Sequence, residues 1–336
     1  MLNDMPYRLK LLLAYCKCLN LGKISNYILL KTALFLSRVT GKMILWGKPF
    51  AITFETVSGC NLQCPGCETG IGALERKSGL MDTDEFLLVL NKLPKTVFHI
   101  NLHAQGEPLL HNDIGNFIRL ARQRKIFVSM STNGTLLNQS IAQTLINAGL
   151  NHIIVSLDGF DQKSYSEYRK GGDFDTVVNN TKELIRLRKK SGKNSPFVEI
   201  QTVVTKHNEN HLNSIKRIAK SIGADVFTLK TAYVPDLSSL PSYFTNNKKY
   251  RRYKTSKNGT LSSIKKPPRF CFRQRSGFVV LNNMDVVPCC FDKNARWKIG
   301  NLTSDSFESI LKNEKSILLQ KLLQSKNPPL MCENCI

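Results

Sequence analysis

Phe54-Glu55-Thr56-Val57-Ser58-Gly59-Cys60-Asn61-Leu62-Gln63-Cys64-Pro65-Gly66-Cys67 is the stretch around which this sequence is organised. Its three cysteines have the spacing Cys-x3-Cys-x2-Cys and follow an apolar run that predicts a β-strand. Three thiolates on one loop can bind three irons of a cubane [4Fe–4S] cluster, whereas a complete protein cage supplies four. Zinc, which needs a fourth ligand nearby, and cysteines that are simply buried are the alternatives for this spacing.

The composition adds a strong positive charge to an otherwise ordinary globular protein. The 336 residues include 48 Lys and Arg against 25 Asp and Glu, a net charge of +23. Such an excess indicates either an acidic partner, namely a nucleic acid, an anionic membrane, a phosphorylated substrate or an acidic electron-transfer protein, or simply a solvated basic surface. The ten cysteines are clustered, which is typical of metal ligation in a reducing cytoplasm rather than of a secreted disulfide framework.

Residues 1–50 form a basic N-terminal segment. Apolar residues recur at helical spacing, first through Leu9, Leu12 and Leu13 and later around Ile28, and predict one or two amphipathic helices. Eight basic residues face a single acid, Asp4. These helices either pack against the main domain or lie on an anionic membrane surface as a peripheral contact. No signal peptide is visible, and the longest apolar run is too short to span a bilayer.

Residues 51–231 alternate between strand and helix patterns. Strands are predicted at 51–57, 97–103, 126–131, 152–157, 197–204 and 225–230. Helices are predicted at 82–92, 113–125, 138–149, 161–190 and 209–222. Six such units imply a parallel sheet with right-handed crossovers, two units short of a closed barrel. The predicted fold class is therefore α/β, a partial (β/α)6 TIM-like barrel with a small C-terminal extension.

Polar residues alternate with apolar ones along these strands. In the second strand Ile100 and Leu102 share one face, and Asn101 and His103 share the other. Since parallel strands buried on both faces are usually apolar throughout, the polar face predicts a ligand cavity inside the barrel. Short motifs at the predicted strand ends lie where such sheets bind ligands: Gln105-Gly106-Glu107-Pro108, Ser131-Thr132-Asn133-Gly134, Ser156-Leu157-Asp158-Gly159 and the later Tyr168-Arg169-Lys170.

A basic segment and a second set of cysteines complete the chain. Residues 232–270 read as a basic linker, partly flexible, that is able to contact phosphates. Residues 271–336 contain Cys271, the adjacent pair Cys289 and Cys290, and a Cys-x2-Cys pair formed by Cys332 and Cys335. Four of these thiols suffice to close either a zinc site or a second iron–sulfur cluster.

The cysteine loop and the strand-end motifs behind it resemble the radical S-adenosylmethionine (SAM) superfamily over roughly residues 50–231. That resemblance implies a partial (β/α)6 barrel in which Cys60, Cys64 and Cys67 bind a [4Fe–4S] cluster and SAM chelates the open iron. It also implies a SAM site made of Gly106, Glu107, Pro108, Ser131, Thr132, Asn133, Ser156 and Arg169, with Glu107 accepting from the SAM ammonium and Arg169 pairing with its carboxylate. Gly66 departs from the family pattern, which has an aromatic residue there.

The C-terminal cysteines resemble the SPASM/twitch extension of the same superfamily. In that extension a glycine stands five residues before the second cysteine. Met284 occupies that position here and marks Cys289 rather than Cys290 as the ligand. The resemblance implies one auxiliary [4Fe–4S] cluster, bound by Cys271, Cys289, Cys332 and Cys335, which would accept an electron from substrate, relay electrons from a reductase or serve only structure.

The expected function is therefore that of a radical SAM enzyme. Reductive cleavage of SAM would give a 5′-deoxyadenosyl radical that abstracts hydrogen from substrate, for peptide maturation or for modification of a small molecule such as a sugar. The resemblance implies an electron donor such as flavodoxin or ferredoxin and a cytoplasmic location. The basic linker and Lys230 favour an anionic substrate. The alternative is a non-enzymatic iron–sulfur or zinc protein that binds nucleic acid through its basic surface.

Overall fold

Alternating strands and helices form the centre of the molecule in the computed structural model, which describes residues 7–325, 328–332 and 335. The chain begins with α1 (Tyr7–Cys16) and α2 (Leu21–Thr40). The alternating region comprises β1 (Ala51–Phe54), α3 (Thr83–Lys92), β2 (His99–Asn101), α4 (Ile114–Gln123), β3 (Phe127–Thr132), α5 (Gln139–Ala148), β4 (His152–Ser156), α6 (Gln162–Ser166), α7 (Phe174–Lys190), β5 (Phe197–Val204), α8 (Leu212–Ile222) and β6 (Val226–Thr231). The remaining elements are β7 (Tyr253–Thr255), β8 (Leu261–Ser263), α9 (Phe272–Ser276), β9 (Gly277–Val280), β10 (Asp285–Val287), β11 (Gly300–Asn301), α10 (Phe307–Lys312) and α11 (Glu314–Gln324).

The main sheet has the order β11-β10-β9-β1-β2-β3-β4-β5-β6. Strands β1 to β6 are parallel and pair in chain order, as in the register of Ile52 with Ile100, which confirms the predicted partial (β/α)6 barrel. Strand β9 pairs in parallel with β1, and β10 and β11 follow it in antiparallel fashion. The C-terminal cysteine region therefore shares its sheet with the barrel.

The two faces of the barrel strands differ as the alternation predicts. Ile100, Leu102, Met130 and Ile153 are fully buried in the core between the sheet and its helices. The polar residues in alternate positions point into the barrel interior. Burial of the apolar face against the helices is the main stabilising interaction of this unit.

One predicted helix is wrong. The span 161–190 contains two helices, α6 and α7, rather than one continuous helix. Gly171 has φ +85° between them, and Asp173 then caps α7 by accepting from the Thr176 backbone N–H. Helix α6 already ends at Ser166, and the left-handed glycine and the aspartate cap separate it from α7, so Arg169 lies in the turn between the two helices.

Helices α1 and α2 are formed as predicted and pack against the barrel. Tyr15 stacks on Phe127 with ring centroids 4.0 Å apart, and the Tyr7 hydroxyl lies 3.3 Å from His152 Nε2. Phe127 and His152 are the first residues of β3 and β4, so α1 covers the amino-terminal end of the barrel. None of the helices in the described ranges is both long enough and apolar enough to cross a membrane.

The segment 232–270 is folded rather than flexible. Tyr243, Phe244 and Tyr253 are buried in a cluster of their own, and β7 and β8 form a short hairpin. The Tyr253 hydroxyl accepts a hydrogen bond from the Val234 backbone at 3.2 Å. These aromatic side chains bury enough apolar surface to order a segment whose basic composition alone predicts a flexible loop.

Candidate active site

The cysteine loop follows β1 and borders a cavity of about 490 Å³ inside the barrel. Cys60, Cys64 and Cys67 all line this cavity. The loop is fixed from two sides, because the Gln63 N–H donates to Lys170 O at 3.0 Å and the Glu107 N–H donates to Gly59 O at 2.8 Å. The three thiols are thus held at the carboxyl ends of the strands, where parallel sheets bind their ligands.

Gly106 sets the distance between the cysteine loop and the next strand end. Its φ is +72°, and a Cβ atom there would lie 2.3 Å from Val57 O and 2.5 Å from Gly59 O. No side chain fits such a contact without moving backbone atoms. Gly106 therefore allows the chain after β2 to lie directly against the loop that carries the cysteines.

Glu107 is the buried centre of a hydrogen-bond network at the ends of β2 and β3. Its carboxylate accepts from Thr132 Oγ1 at 2.7 Å, from the Asn133 backbone N–H at 2.7 Å and from the Leu109 backbone N–H at 3.1 Å. Burial raises the pKa of Glu107, while these donors act in the opposite direction. A carboxylate has about four acceptor positions, so one remains for a further donor.

Asn133 connects this network to the cysteine loop. Its Nδ2 donates to Asn61 Oδ1 at 2.8 Å and lies 3.8 Å from Cys60 Sγ. Thr135 Oγ1 accepts from Asn61 and donates to Asn133 Oδ1, so that the three side chains form a closed set. The first and third strand ends are thereby locked in one position relative to each other.

Arg169 lies on the opposite side of the loop. Its Nε donates to Asp158 Oδ2 at 2.5 Å, and its Nη1 lies 3.7 Å from Cys64 Sγ. Burial alone would lower the pKa of Arg169, but Asp158 raises it, so the guanidinium stays charged. The sequence motifs place Asp158 and Arg169 eleven residues apart, and their direct pairing is visible only in the fold.

The other predicted SAM-site residues divide between the cavity wall and its surroundings. Ser131, Thr132 and Ser156 line the cavity together with Gly106 and Glu107. Pro108 is buried at the start of a short 3-10 helix that Glu107 caps, and it is not among the lining residues. Its effect is to direct the chain away from the strand end.

Tyr168 is a site residue to which the sequence analysis gave no role, although it is part of the Tyr168-Arg169-Lys170 motif. It lines the cavity, and a Cβ atom on Gly66 would lie 2.3 Å from its hydroxyl oxygen. The tyrosine thus fills the space next to Gly66, where the family pattern has an aromatic residue. Nothing in the sequence pairs Tyr168 with Gly66, because the two residues are 102 positions apart.

The far wall of the cavity is basic. Lys230, Arg252 and Arg273 line it, and among the described residues none of the three forms an ion pair with a carboxylate. Burial lowers the pKa of Lys230, and the two guanidinium groups act in the same direction. Phe291 lies between the two arginines, with the guanidinium carbons 5.7 Å and 5.3 Å from its ring centroid.

A polar cluster joins this wall to the segment after the cysteine loop. Glu68 accepts from the Tyr233 hydroxyl at 2.6 Å and pairs with Lys293, whose ammonium lies 3.6 Å from the Tyr233 ring centroid. The link spans 225 positions of sequence between Glu68 and Lys293. It connects the C-terminal region directly to the loop that carries Cys67.

The C-terminal cysteines surround a second position next to this wall. Cys271 and Cys332 pack in one apolar cluster with Trp297, and Cys289 lies close enough to both for their thiols to influence its titration. Burial raises the pKa of Cys289, and it raises that of Cys332 to about 12. No three Cys, His, Asp or Glu side chains in the described ranges are arranged as the ligands of a single metal ion.

Cys289 and its neighbour face different surroundings. Cys290 is exposed and lines the active-site cavity, where its Sγ lies 3.6 Å from Arg273 Nη1. Cys289 instead turns towards Cys271 and Cys332. Burial raises the pKa of Cys335, and Cys290 lies close enough to that thiol to raise it further, so each member of the adjacent pair has a neighbour among the C-terminal cysteines.

The residues of the main site fit a cubane cluster with SAM beside it. Three reduced thiols from one loop border the same cavity, and burial raises the pKa of Cys60 to about 11. Iron binding would remove protons that are otherwise held tightly in this apolar setting. A volume of about 490 Å³ lies within the range of cofactor sites, and Glu107 and Arg169 offer complementary charges.

Comparison with known proteins identifies both parts of the chain. Residues 54–219 match the radical SAM superfamily, and residues 271–336 match the SPASM iron–sulfur cluster-binding domain. The structure resembles anSMEcpe with bound AdoMet, with a TM-score of 0.61, 22% identity and coverage of 82% of this chain and 84% of that one. It also resembles SuiB of Streptococcus suis bound to S-adenosylmethionine, with a TM-score of 0.60, 15% identity and coverage of 90% and 81%.

Similar sequences include enzymes with several different products. The chain is 26% identical to the tungsten-containing aldehyde ferredoxin oxidoreductase cofactor-modifying protein of Pyrococcus furiosus over 70% of this chain and 69% of that protein. It is 29% identical to the AdoMet-dependent heme synthase of Methanosarcina barkeri over 52% of this chain and 48% of that protein, and so spans about half of it. The matched regions contain the cysteine loop, the strand-end motifs and the C-terminal cysteines, and the chain therefore belongs to the radical SAM superfamily, with a SPASM domain at its C-terminus.

Proposed function

We propose that this protein is an enzyme that reductively cleaves SAM and abstracts a hydrogen atom from its substrate. The observation that carries the proposal is the network in which Glu107 accepts from Thr132 and Asn133, and Asn133 contacts the cysteine loop. A loaded [4Fe–4S] cluster with bound SAM would supply one electron to the sulfonium and yield a 5′-deoxyadenosyl radical. The protein's own contribution is to hold these groups in place and to exclude water.

The residues have distinct roles in this proposal. Cys60, Cys64 and Cys67 hold the cluster, and the unused acceptor position of Glu107 binds the SAM ammonium. The Nη atoms of Arg169 that are free of Asp158 receive the carboxylate. Gly106, Pro108, Ser131, Thr132, Asn133 and Ser156 complete the SAM site. Support comes from the cavity wall, where all of these except Pro108 are found.

The substrate would carry negative charge. Lys230, Arg252 and Arg273 border the cavity without carboxylate partners among the described residues, and a phosphate or carboxylate would complement them. The solved structures that this chain resembles include one of anSMEcpe with bound AdoMet and Cp18Cys peptide. A peptide undergoing maturation, or a small anionic molecule such as a sugar phosphate, is the substrate class that we propose.

The remaining assignments concern the C-terminal cluster and the setting of the enzyme. Cys271, Cys289, Cys332 and Cys335 would hold one auxiliary [4Fe–4S] cluster that takes up an electron after hydrogen abstraction, so that the net reaction is an oxidation. A flavodoxin or ferredoxin would supply the first electron. We divide the chain into an N-terminal segment (1–50), the barrel (51–231), a basic linker (232–270) and the auxiliary domain (271–336). We place the enzyme in the cytoplasm.

Anaerobic reconstitution tests the proposal. The purified chain is loaded with iron and sulfide, reduced with dithionite and mixed with SAM, and 5′-deoxyadenosine is measured by chromatography. We expect formation of 5′-deoxyadenosine that Cys60→Ala abolishes and that Cys16→Ala, at an exposed cysteine outside the cavity, leaves intact. No SAM cleavage, or cleavage that survives Cys60→Ala, would contradict the proposal. Zinc in place of iron at the C-terminal cysteines would contradict the auxiliary cluster.

A further inference from the structure

Helix α2 has apolar residues on two opposite faces, whereas a helix on a globular protein normally has one apolar stripe, turned towards the core. Its buried face combines the apolar Leu30, Ala33 and Leu34 with the polar Lys23, Asn26 and Ser37. Lys23 Nζ donates to Cys18 O and Lys125 O, each at 2.9 Å. The Asn26 side chain forms two hydrogen bonds with the backbone of Lys48, donating to its carbonyl oxygen and accepting from its N–H. Polar anchors therefore fix this helix to the barrel.

A second apolar stripe of α2 faces solvent. Its members recur every three, four or seven residues and so lie on one face, opposite the buried one: Leu21, Ile24, Ile28, Phe35 and Val39. Ile28, Phe35 and Val39 expose 57%, 64% and 67% of their surface. Exposed apolar side chains are normal singly, but five of them on one face of a single helix indicate a contact surface.

Exposed apolar residues also occur in α1 and just after α2. In α1, Leu9, Leu12 and Leu13 lie at helical spacing and are exposed, while Tyr7 and Tyr15 face the barrel. Leu45 and Trp46, just after α2, are also about half exposed. Tryptophan is favoured at the boundary between membrane and water.

The positive charge of residues 7–50 indicates which kind of partner this surface binds. Between residues 7 and 50 the sequence contains Lys and Arg but no Asp or Glu. Lys17, Lys31, Arg38 and Lys42 are exposed on and beside the two helices. An apolar stripe flanked by cations and free of acids complements a lipid surface with anionic head groups.

We propose that α1 and α2 dock the protein on an anionic lipid bilayer through the apolar stripe, which lies in the plane of the membrane interface. Because α1 covers the amino-terminal end of the barrel and the cavity opens at the carboxyl ends of the strands, the active site faces away from the bilayer. Docking therefore needs neither a bound cluster nor SAM, and it goes beyond the proposed cleavage reaction.

Vesicle co-sedimentation of the full chain tests this proposal. The probes are phosphatidylcholine vesicles with and without phosphatidylglycerol, at low and high salt. We expect binding only to the anionic vesicles, weaker at high salt, and at least about tenfold weaker for the double variant Ile28→Asp/Phe35→Asp. Leu318→Asp in α11 is the matched control, since Leu318 exposes a similar fraction, 47%, and lies outside the stripe.

Three results would overturn the proposal. The first is failure of the native protein to bind anionic vesicles, and the second is binding of the double variant as strong as that of Leu318→Asp. The third is a native dimer, seen by light scattering, that the double variant dissociates, which would make the stripe an interface between copies of the chain. Circular dichroism and retained SAM cleavage in the variants separate these outcomes from misfolding and from failure of the proposed enzymatic function.

Discussion

Replacing Glu107 by glutamine tests the proposed role of the buried carboxylate in binding SAM. Glutamine keeps the size of the side chain but removes its charge and turns one acceptor atom into a donor. The native carboxylate accepts from Thr132 Oγ1, from the Asn133 N–H and from the Leu109 N–H. In Glu107→Gln the new amide group must face at least one of these donors or the SAM ammonium, so one contact becomes repulsive.

The size of the effect follows from these contacts. A hydrogen bond between charged groups contributes about 1.5–3 kcal/mol, so losing the contact to the ammonium should weaken SAM binding by about 10- to 100-fold. A buried donor without an acceptor costs about 1–3 kcal/mol more, which should appear as a lower free energy of unfolding. The two effects are separable because affinity is measured on the folded, loaded protein.

Glu209 provides a matched control. Its carboxylate also accepts from one hydroxyl and two backbone N–H groups, those of Thr245, Asn246 and Asn247, but it does not line the cavity. Equilibrium dialysis of SAM against the reconstituted proteins should show a large loss for Glu107→Gln and none for Glu209→Gln. Unchanged affinity in a correctly loaded Glu107→Gln protein would refute the assignment of Glu107.

Three further predictions follow from the same structure. Gly106→Ala places a Cβ atom 2.3 Å from Val57 O, so it should lower the iron content after reconstitution, measured by colorimetric assay; full iron loading would contradict this. Gly66→Ala should reduce SAM affinity through its contact with the Tyr168 hydroxyl, and Gly66→Ala/Tyr168→Phe should recover part of it, whereas additive losses would exclude that contact. Burial lowers the pKa of His99 from 6.5 to about 4, so between pH 7.5 and 5.5 His99 becomes protonated in the unfolded chain but not in the folded protein. The free energy of unfolding should therefore fall by about 1 kcal/mol over this pH range. Denaturant unfolding at both pH values should show a smaller loss of stability for His99→Gln than for the native protein. An equal loss would contradict the attribution of this pH dependence to His99.

Much of the barrel could be predicted because its signals are local. The alternation around Ile100 and Leu102 reflects one strand with one buried face, and the observed strand lies within the predicted span. The cysteine spacing and the Gly106-Glu107 turn are each contained in a few consecutive residues. Such patterns reflect the geometry of one strand or one turn, so a few consecutive residues suffice to predict them.

The parts of the site that the sequence did not predict depend on contacts between residues that are distant in the chain. The pairing of Arg169 with Asp158, the closeness of Tyr168 to Gly66 and the link between Glu68 and Lys293 arise only when separate strand ends meet. The basic segment was misjudged for a related reason. Its charges predict flexibility, but Tyr243, Phe244 and Tyr253 find a common core that composition does not reveal.

The orientation of α2 was also not evident from the pattern. Apolar residues recur on two faces of this helix, and spacing alone cannot say which face meets the barrel. Lys23 and Asn26 decide it, because each finds backbone partners in other parts of the fold. Helical periodicity therefore predicted the element correctly but not its orientation.

Direct observation of SAM at the cluster is the most decisive test of the central claim. The reconstituted protein is reduced, mixed with SAM labelled with ¹⁵N in its amino group, and examined by electron–nuclear double resonance. We predict a ¹⁵N coupling to the reduced cluster that is present in the native protein and in Glu209→Gln. Absence of that coupling in a protein whose three cysteines Cys60, Cys64 and Cys67 hold a complete cluster would contradict the account.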